Sequence, residues 1–150
     1  MQRNTALTIV ECCVSYDLMV FEPNAVSTSQ AQFMAWYEEQ TKWAEGHSYD
    51  DPAVSAPSLR AWFLDIIEVF PALNGPFSKD DLPEDEASAT DYSVGKSSIY
   101  CAFAWSKAKF AYDTVFKLAQ KHGIGFFDVS SGSEEVWLPS NGRLEIAHAK

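Results

Sequence analysis

By type and spacing, His47, Asp50 and Asp51 are the residues of this chain best equipped to do chemistry. An imidazole followed within a few positions by two carboxylates could ligate a divalent cation or pass a proton between acid and base. No second histidine lies nearby, and the spacing fits no metal-binding pattern with a mechanical rationale. Asp50-Asp51-Pro52 is also ordinary turn chemistry. The competing set is aromatic. Phe33, Trp36, Tyr37 and Trp43 crowd one expected helix, with Trp36, Glu39 and Trp43 aligned along its shoulder. Two indoles flanking a carboxylate suit insertion beside an arginine or lysine of a protein partner. The plainer alternative is that both indoles cap the edge of the core. Tyr49 carries the aromatic set into the loop that holds Asp50 and Asp51, so Trp36, Glu39, Trp43, Tyr49, Asp50 and Asp51 together form the expected partner-binding surface. A second acidic strip, Asp80, Asp81, Glu84, Asp85 and Glu86, is either a docking surface for a basic protein or a solvated loop.

The remaining reactive side chains point to no reaction. Cys101 sits mid-strand between Ile99 and Phe103, the setting of an inert core thiol. Ser130, Ser131 and Ser133 lack the strand–elbow–helix context of a nucleophilic serine, and no phosphate loop or dinucleotide fingerprint is present. His122 closes a helix and reads as a cap compatible with the helix dipole. The sequence therefore implies no cofactor and no catalytic signature.

Charge narrows the partners. The 150 residues carry 11 Lys and Arg against 21 Asp and Glu, a net charge of −10. Such a field repels phosphates and anionic lipid, which argues against general nucleic-acid or membrane-surface binding. The acidity is uneven: residues 1–105 hold five basic and sixteen acidic residues, residues 106–150 six and five. Steering toward a cationic partner is one use of that asymmetry, and solubility is the bland one. Three cysteines, Cys12, Cys13 and Cys101, make no disulfide framework. With no secretory signal and no long apolar run, cytoplasm is the expected compartment.

The elements that must position these residues follow from periodicity. Residues 1–13 read as an N-terminal extension and 14–150 as a single domain. A strand spans Val14–Phe21, with Tyr16, Leu18 and Val20 on one face and Met19 and Phe21 on the other. Ser29-x-x-Gln32 is a capping box that opens a helix running to about Glu45, stopped by Gly46. A second helix spans Pro57–Phe70. Strand segments 91–94 and 97–104 flank Gly95-Lys96, and a helix capped by Ser106 runs to His122. Strands 125–129 and 135–138 follow, and Asn141-Gly142 turns into a last strand at 144–146. The order defines an α+β fold: one mixed or antiparallel sheet, about three helices mainly on one face, ferredoxin-like in spirit.

The blocks Tyr16-Asp-Leu-Met-Val-Phe-Glu22, Phe33-Met-Ala-Trp-Tyr37, Ser48-Tyr-Asp-Asp-Pro52, Phe70-Pro-Ala-Leu-Asn-Gly-Pro76 and Gly125-Phe-Phe-Asp-Val-Ser130 resemble a family of small acidic bacterial proteins associated with polymorphic-toxin, Rhs-type loci. The resemblance covers residues 14–146 and brings no functional residue with it. It implies an immunity protein that blocks the active site of a cognate toxin domain, one with a basic cleft. Two rival readings stay open: a small hydrolase or transferase working through His47, Asp50 and Asp51, and a self-associating ligand-binding domain that uses an exposed Phe110 face.

Overall fold

A computed structural model describes residues 15–26, 29–78 and 84–149. The proposed extension, Val14, Asp80 and Asp81 lie outside the described residues. Six strands form one antiparallel sheet: β1 (Ser15–Phe21), β2 (Asp91–Val94), β3 (Ser98–Ala104), β4 (Gly125–Phe127), β5 (Val136–Ser140) and β6 (Arg143–His148). Their spatial order is β2-β3-β1-β4-β5-β6. Three α-helices accompany them: α1 (Gln30–Gln40), α2 (Pro57–Ile66) and α3 (Ala108–His122). β3 lies between β1 and β2, and β1 lies between β3 and β4, every neighbouring pair being antiparallel. These are two interleaved split βαβ crossovers, the ferredoxin-like connectivity, extended at the β4 edge by the β5–β6 hairpin. Asn141 and Gly142 turn that hairpin with φ of 53° and 82°, the left-handed pair that a two-residue turn demands.

Period-two alternation in β1 divides the core. Tyr16, Leu18 and Val20 face α2 and α3, where Leu59, Trp62, Phe63, Ile66, Ala111, Val115 and Ala119 close the larger cluster. Met19 and Phe21 face the other way and meet Phe33 of α1, Phe127 and Val136 in a smaller one. Two helices therefore cover one face, and α1 covers part of the opposite face. Between α2 and α3 the indole N–H of Trp62 reaches the Val115 carbonyl at 3.5 Å, at the long limit for such a bond. Burial of β1 on both faces makes it the central strand. Phe33 shows the density of the smaller cluster: its ring lies 5.2 Å from Phe21 and 5.1 Å from Phe127, tilted and edge-on respectively.

Three helix boundaries differ from expectation. Helix α1 ends at Gln40 rather than near Glu45, because Thr41 turns its hydroxyl back to the Glu38 carbonyl and Trp43 takes a left-handed φ of 53°. Helix α2 relaxes into turns after Ile66, short of Pro71. A 3-10 turn, Trp105–Lys107, precedes α3, so Lys107 rather than Ser106 occupies the N-cap.

Glycine supplies a test of the packing. A Cβ at Gly125 would enter the Phe21 ring, whereas one at Gly123 (φ 66°), the left-handed end of α3, would meet open space. Gly125→Ala is expected to destabilise by ~1–3 kcal/mol through overpacking, and Gly123→Ala by about 1 kcal/mol through backbone strain alone. Urea denaturation checks both; a neutral Gly125→Ala would contradict the packing of β4 on β1.

Candidate functional site

The early end of α1 decides where the aromatic residues go. Trp36 stays on the helix, half-buried, its ring 5.7 Å from Phe21 and 5.6 Å from Phe33. It caps the edge of the smaller cluster. Glu39 is exposed and paired with Lys42 at 2.5 Å. Trp43 has left the helix and rests instead on Tyr49 and Tyr100, at ring distances of 5.3 and 5.9 Å, both edge-on. The expected Trp36–Glu39–Trp43 line is thus replaced. Trp43 keeps 39% of its surface exposed while its inner edge is anchored.

Glu45 builds this arrangement. Its Oε1 receives the Lys96 backbone N–H at 3.0 Å and lies 2.6 Å from His47 Nε2. Its own backbone N–H donates to the Tyr49 hydroxyl at 2.8 Å. One carboxylate therefore ties the 41–49 loop to the turn between β2 and β3. Close approach at that turn leaves little room at Gly95, where a Cβ would sit 3.2 Å from the Ser98 carbonyl and 3.3 Å from Glu45 Oε1. The Val94 N–H completes the seam by donating to the Tyr49 carbonyl at 2.9 Å.

Beneath Trp43, the Tyr100 hydroxyl donates to Asp17 Oδ2 at 2.5 Å, a charge-assisted bond across neighbouring strands. Burial, then the Asp17 hydrogen bond, pushes the Tyr100 phenol far above its ordinary range. The Tyr37 hydroxyl joins the same network through Tyr100, and its phenol too is raised by burial. Asp17 Oδ1 is sealed from solvent without a hydrogen-bond partner.

The acidic residues named from the sequence are spread out. His47 is bonded to Glu45 and, through Nδ1, to the Ser48 carbonyl at 2.6 Å. Asp50 accepts from the Ser48 hydroxyl at 2.8 Å, and its Cβ side supports Gly75 (φ 89°), where any added Cβ would come within 2.8 Å. Asp51 caps the 3-10 turn Pro52–Val54 through the Ala53 N–H at 2.9 Å. Each member of the expected His47–Asp50–Asp51 set is hydrogen-bonded elsewhere and shapes the loop. Among the described residues no group of three or more His, Cys, Asp or Glu is placed to hold a metal ion.

Glu84, Asp85 and Glu86 are exposed. Asp85 pairs with Lys107 ahead of α3, and that ammonium, by its hydrogen bond, holds the Asp85 carboxyl below its ordinary range. His122 closes α3 as a basic residue in its last turn, and its Nε2 lies 2.6 Å from Asp65 Oδ2, which also joins α3 to α2. Cys101 is fully buried, and burial raises its thiol well above the ordinary range. Of the residues singled out in the sequence, the structure unites Trp43 and Tyr49. Sequence reasoning missed Glu45, which is His47's partner, and Tyr100 and Asp17. The only local signal was a carboxylate two residues ahead of His47.

No family model, curated protein or solved structure matches this chain. Fold and surface define its class: an α+β protein with a split-crossover antiparallel sheet that carries a partly exposed Trp43 on its surface. Among the described residues no helix is long and apolar enough to cross a membrane.

Two histidines give the site and the β6 edge opposite pH signatures. Hydrogen bonds to the Ser48 carbonyl and to Glu45 raise the His47 value. Burial lowers that of His148, whose two ring nitrogens are covered without partners and whose ring lies 5.7 Å from Phe33. Histidine in an unfolded chain titrates near ~6.5. The His47 contribution to stability is therefore complete below that pH and lost as pH rises through its raised value. The His148 contribution is complete above it and lost as pH falls toward its lowered value. Imidazole NMR titration should place the two midpoints on either side of the unfolded value; a shared midpoint would contradict the geometry.

Proposed function

We propose that this chain is a binding protein that captures a basic protein domain, and that its partner is the toxin domain of a polymorphic-toxin locus, as the sequence resemblance implies. The observation that carries the reading is Trp43: a large ring, partly exposed, and clamped at its inner edge by Tyr49 and Tyr100. An interface anchor is favoured when it is aromatic and pre-positioned, because little side-chain entropy is then lost on docking. The left-handed backbone at Trp43 costs roughly 1–2 kcal/mol, and the loop offsets it through the Glu45 contacts. Strain of that kind is compatible with a residue held for contact.

Electrostatics support the same reading. Glu38 and Glu39 are exposed on the adjoining end of α1, Glu39 partly offset by its Lys42 pair, in a chain of net charge −10. Acidic residues beside an aromatic anchor accelerate encounter with a cationic cleft, and the desolvated rings slow dissociation. The exposed Glu84, Asp85 and Glu86 form a second acidic strip, weakened as a docking surface by the Asp85–Lys107 pair. Neutralisation would then be physical occlusion of a cleft, with no substrate transformed.

The test is co-expression with the product of the neighbouring gene, which the reading requires to be a toxin domain, followed by kinetics on the purified pair. Trp43→Ala should weaken the complex by roughly thirtyfold or more, about 2 kcal/mol, mainly through faster dissociation. Glu38→Lys combined with Glu39→Lys should slow association about tenfold at low salt and flatten its salt dependence. Undiminished affinity and protection with Trp43→Ala would place the interface elsewhere. Failure of the wild-type chain to bind or protect would reject the reading.

A further inference from the structure

On the other side of the sheet, between α3 and β5, lies a small cavity of about 190 Å³ lined by Tyr112, Asp113, Phe116, Lys117 and Trp137. Three rings form its walls. Tyr112 and Phe116, one helical turn apart, are parallel with centroids 6.1 Å apart, and Trp137 stands edge-on to Phe116 at 5.1 Å. Carboxylates gather round the rings. Glu135 accepts the Trp137 indole N–H at 3.2 Å and so lies at the indole edge. Asp113 is on the cavity wall, partly offset by Lys109 at 3.6 Å. Asp128, just after β4 and outside the cavity lining, is 6% exposed, and its Oδ1 is covered with no hydrogen-bond partner.

Rings and carboxylates in this combination attract one kind of ligand. Aromatic faces carry negative quadrupole potential, and partly desolvated carboxylates lack the water that would otherwise stabilise their charge. We propose that the Tyr112–Phe116–Trp137 cavity binds a single organic monocation, a guanidinium or quaternary ammonium head, with Asp113 on its wall supplying the direct counter-charge and Glu135 and Asp128 adding to the field from outside the lining. Its size suits one head group and excludes a nucleotide or an extended peptide. A hydrated inorganic cation gains little from ring walls, whereas a weakly hydrated guanidinium stacks on them. Lys117 on the rim opposes the ligand, so its removal strengthens binding. This cavity and the Trp43 surface lie on opposite faces of the sheet, and either proposal can fail without the other.

The Asp128 carboxyl supplies an independent readout. Burial raises its titration above the ordinary range, with Glu135 adding to the effect. A cation seated nearby would draw it back down, which a merely structural aspartate would not show.

The experiment is an NMR titration of the full chain, following the Trp137 indole N–H, with N-acetyl-arginine amide and with tetramethylammonium as probes. The neutral isostere N-acetyl-citrulline amide, at matched ionic strength, is the control. A saturable shift with one or both cations and none with citrulline is expected. It should weaken roughly tenfold in Glu135→Gln and tighten severalfold in Lys117→Gln. The better of the two cations identifies the source, a protein side chain or a quaternary amine. Equal response to citrulline, no saturable response to either cation, or identical affinities in both variants would overturn the proposal. Because the two variants shift affinity in opposite directions, loss of fold in one cannot imitate the expected pair.

Discussion

The Glu45 carboxylate is the contact on which the functional surface depends. It takes together the Lys96 amide, 51 positions away, and the His47 imidazole, two residues on. Without that carboxylate the Val94–Tyr49 backbone bond alone would hold that side of the 41–49 loop to β2, and the tie to Lys96 in the turn would be lost. Trp43 would then lose its seat on Tyr49 and Tyr100. A partly covered, charge-assisted hydrogen bond is worth more than an exposed ion pair such as Glu39–Lys42, whose net value in water is small. The structure spends its two kinds of carboxylate accordingly: one builds the loop, and the exposed ones set its field.

The sheet gives that loop a rigid base. β1 is central because its two faces serve two clusters, and β3 pairs with it along its whole length. Tyr100 and Asp17 come from these neighbouring strands, so the support under Trp43 is set by strand register rather than by the loop itself. A slip of one residue would turn both side chains to the opposite face. Placing the anchor on a short loop over a two-strand platform gives exposure without loss of position.

Much of the fold was legible in the sequence. Alternation in Tyr16–Phe21, the Ser29 cap, Pro57 at the start of α2, Gly123 at the end of α3 and the Asn141-Gly142 turn are local signals, each with a local cause. The site was legible only in part. Trp43 and Tyr49 stood out as aromatics beside acids, but the helix end was placed too late. Helical spacing therefore joined Trp43 to Trp36, when tertiary contacts join it to Tyr100, 57 residues away. Glu45 was invisible for the same reason: its main partner, Lys96, is 51 positions distant, and no periodicity encodes such a bond. His47, Asp50 and Asp51 looked chemical because they were adjacent in sequence, yet each is satisfied by its own turn.

The central claim is that Trp43 is the contact point with a basic protein partner. It is tested most directly by 5-fluorotryptophan NMR of the complex with a soluble paramagnetic quencher. The account predicts that the Trp43 resonance becomes shielded on complex formation, while Trp105, exposed near Tyr16, stays quenched as in the free protein. Unchanged quenching of Trp43 in a saturated complex would contradict it.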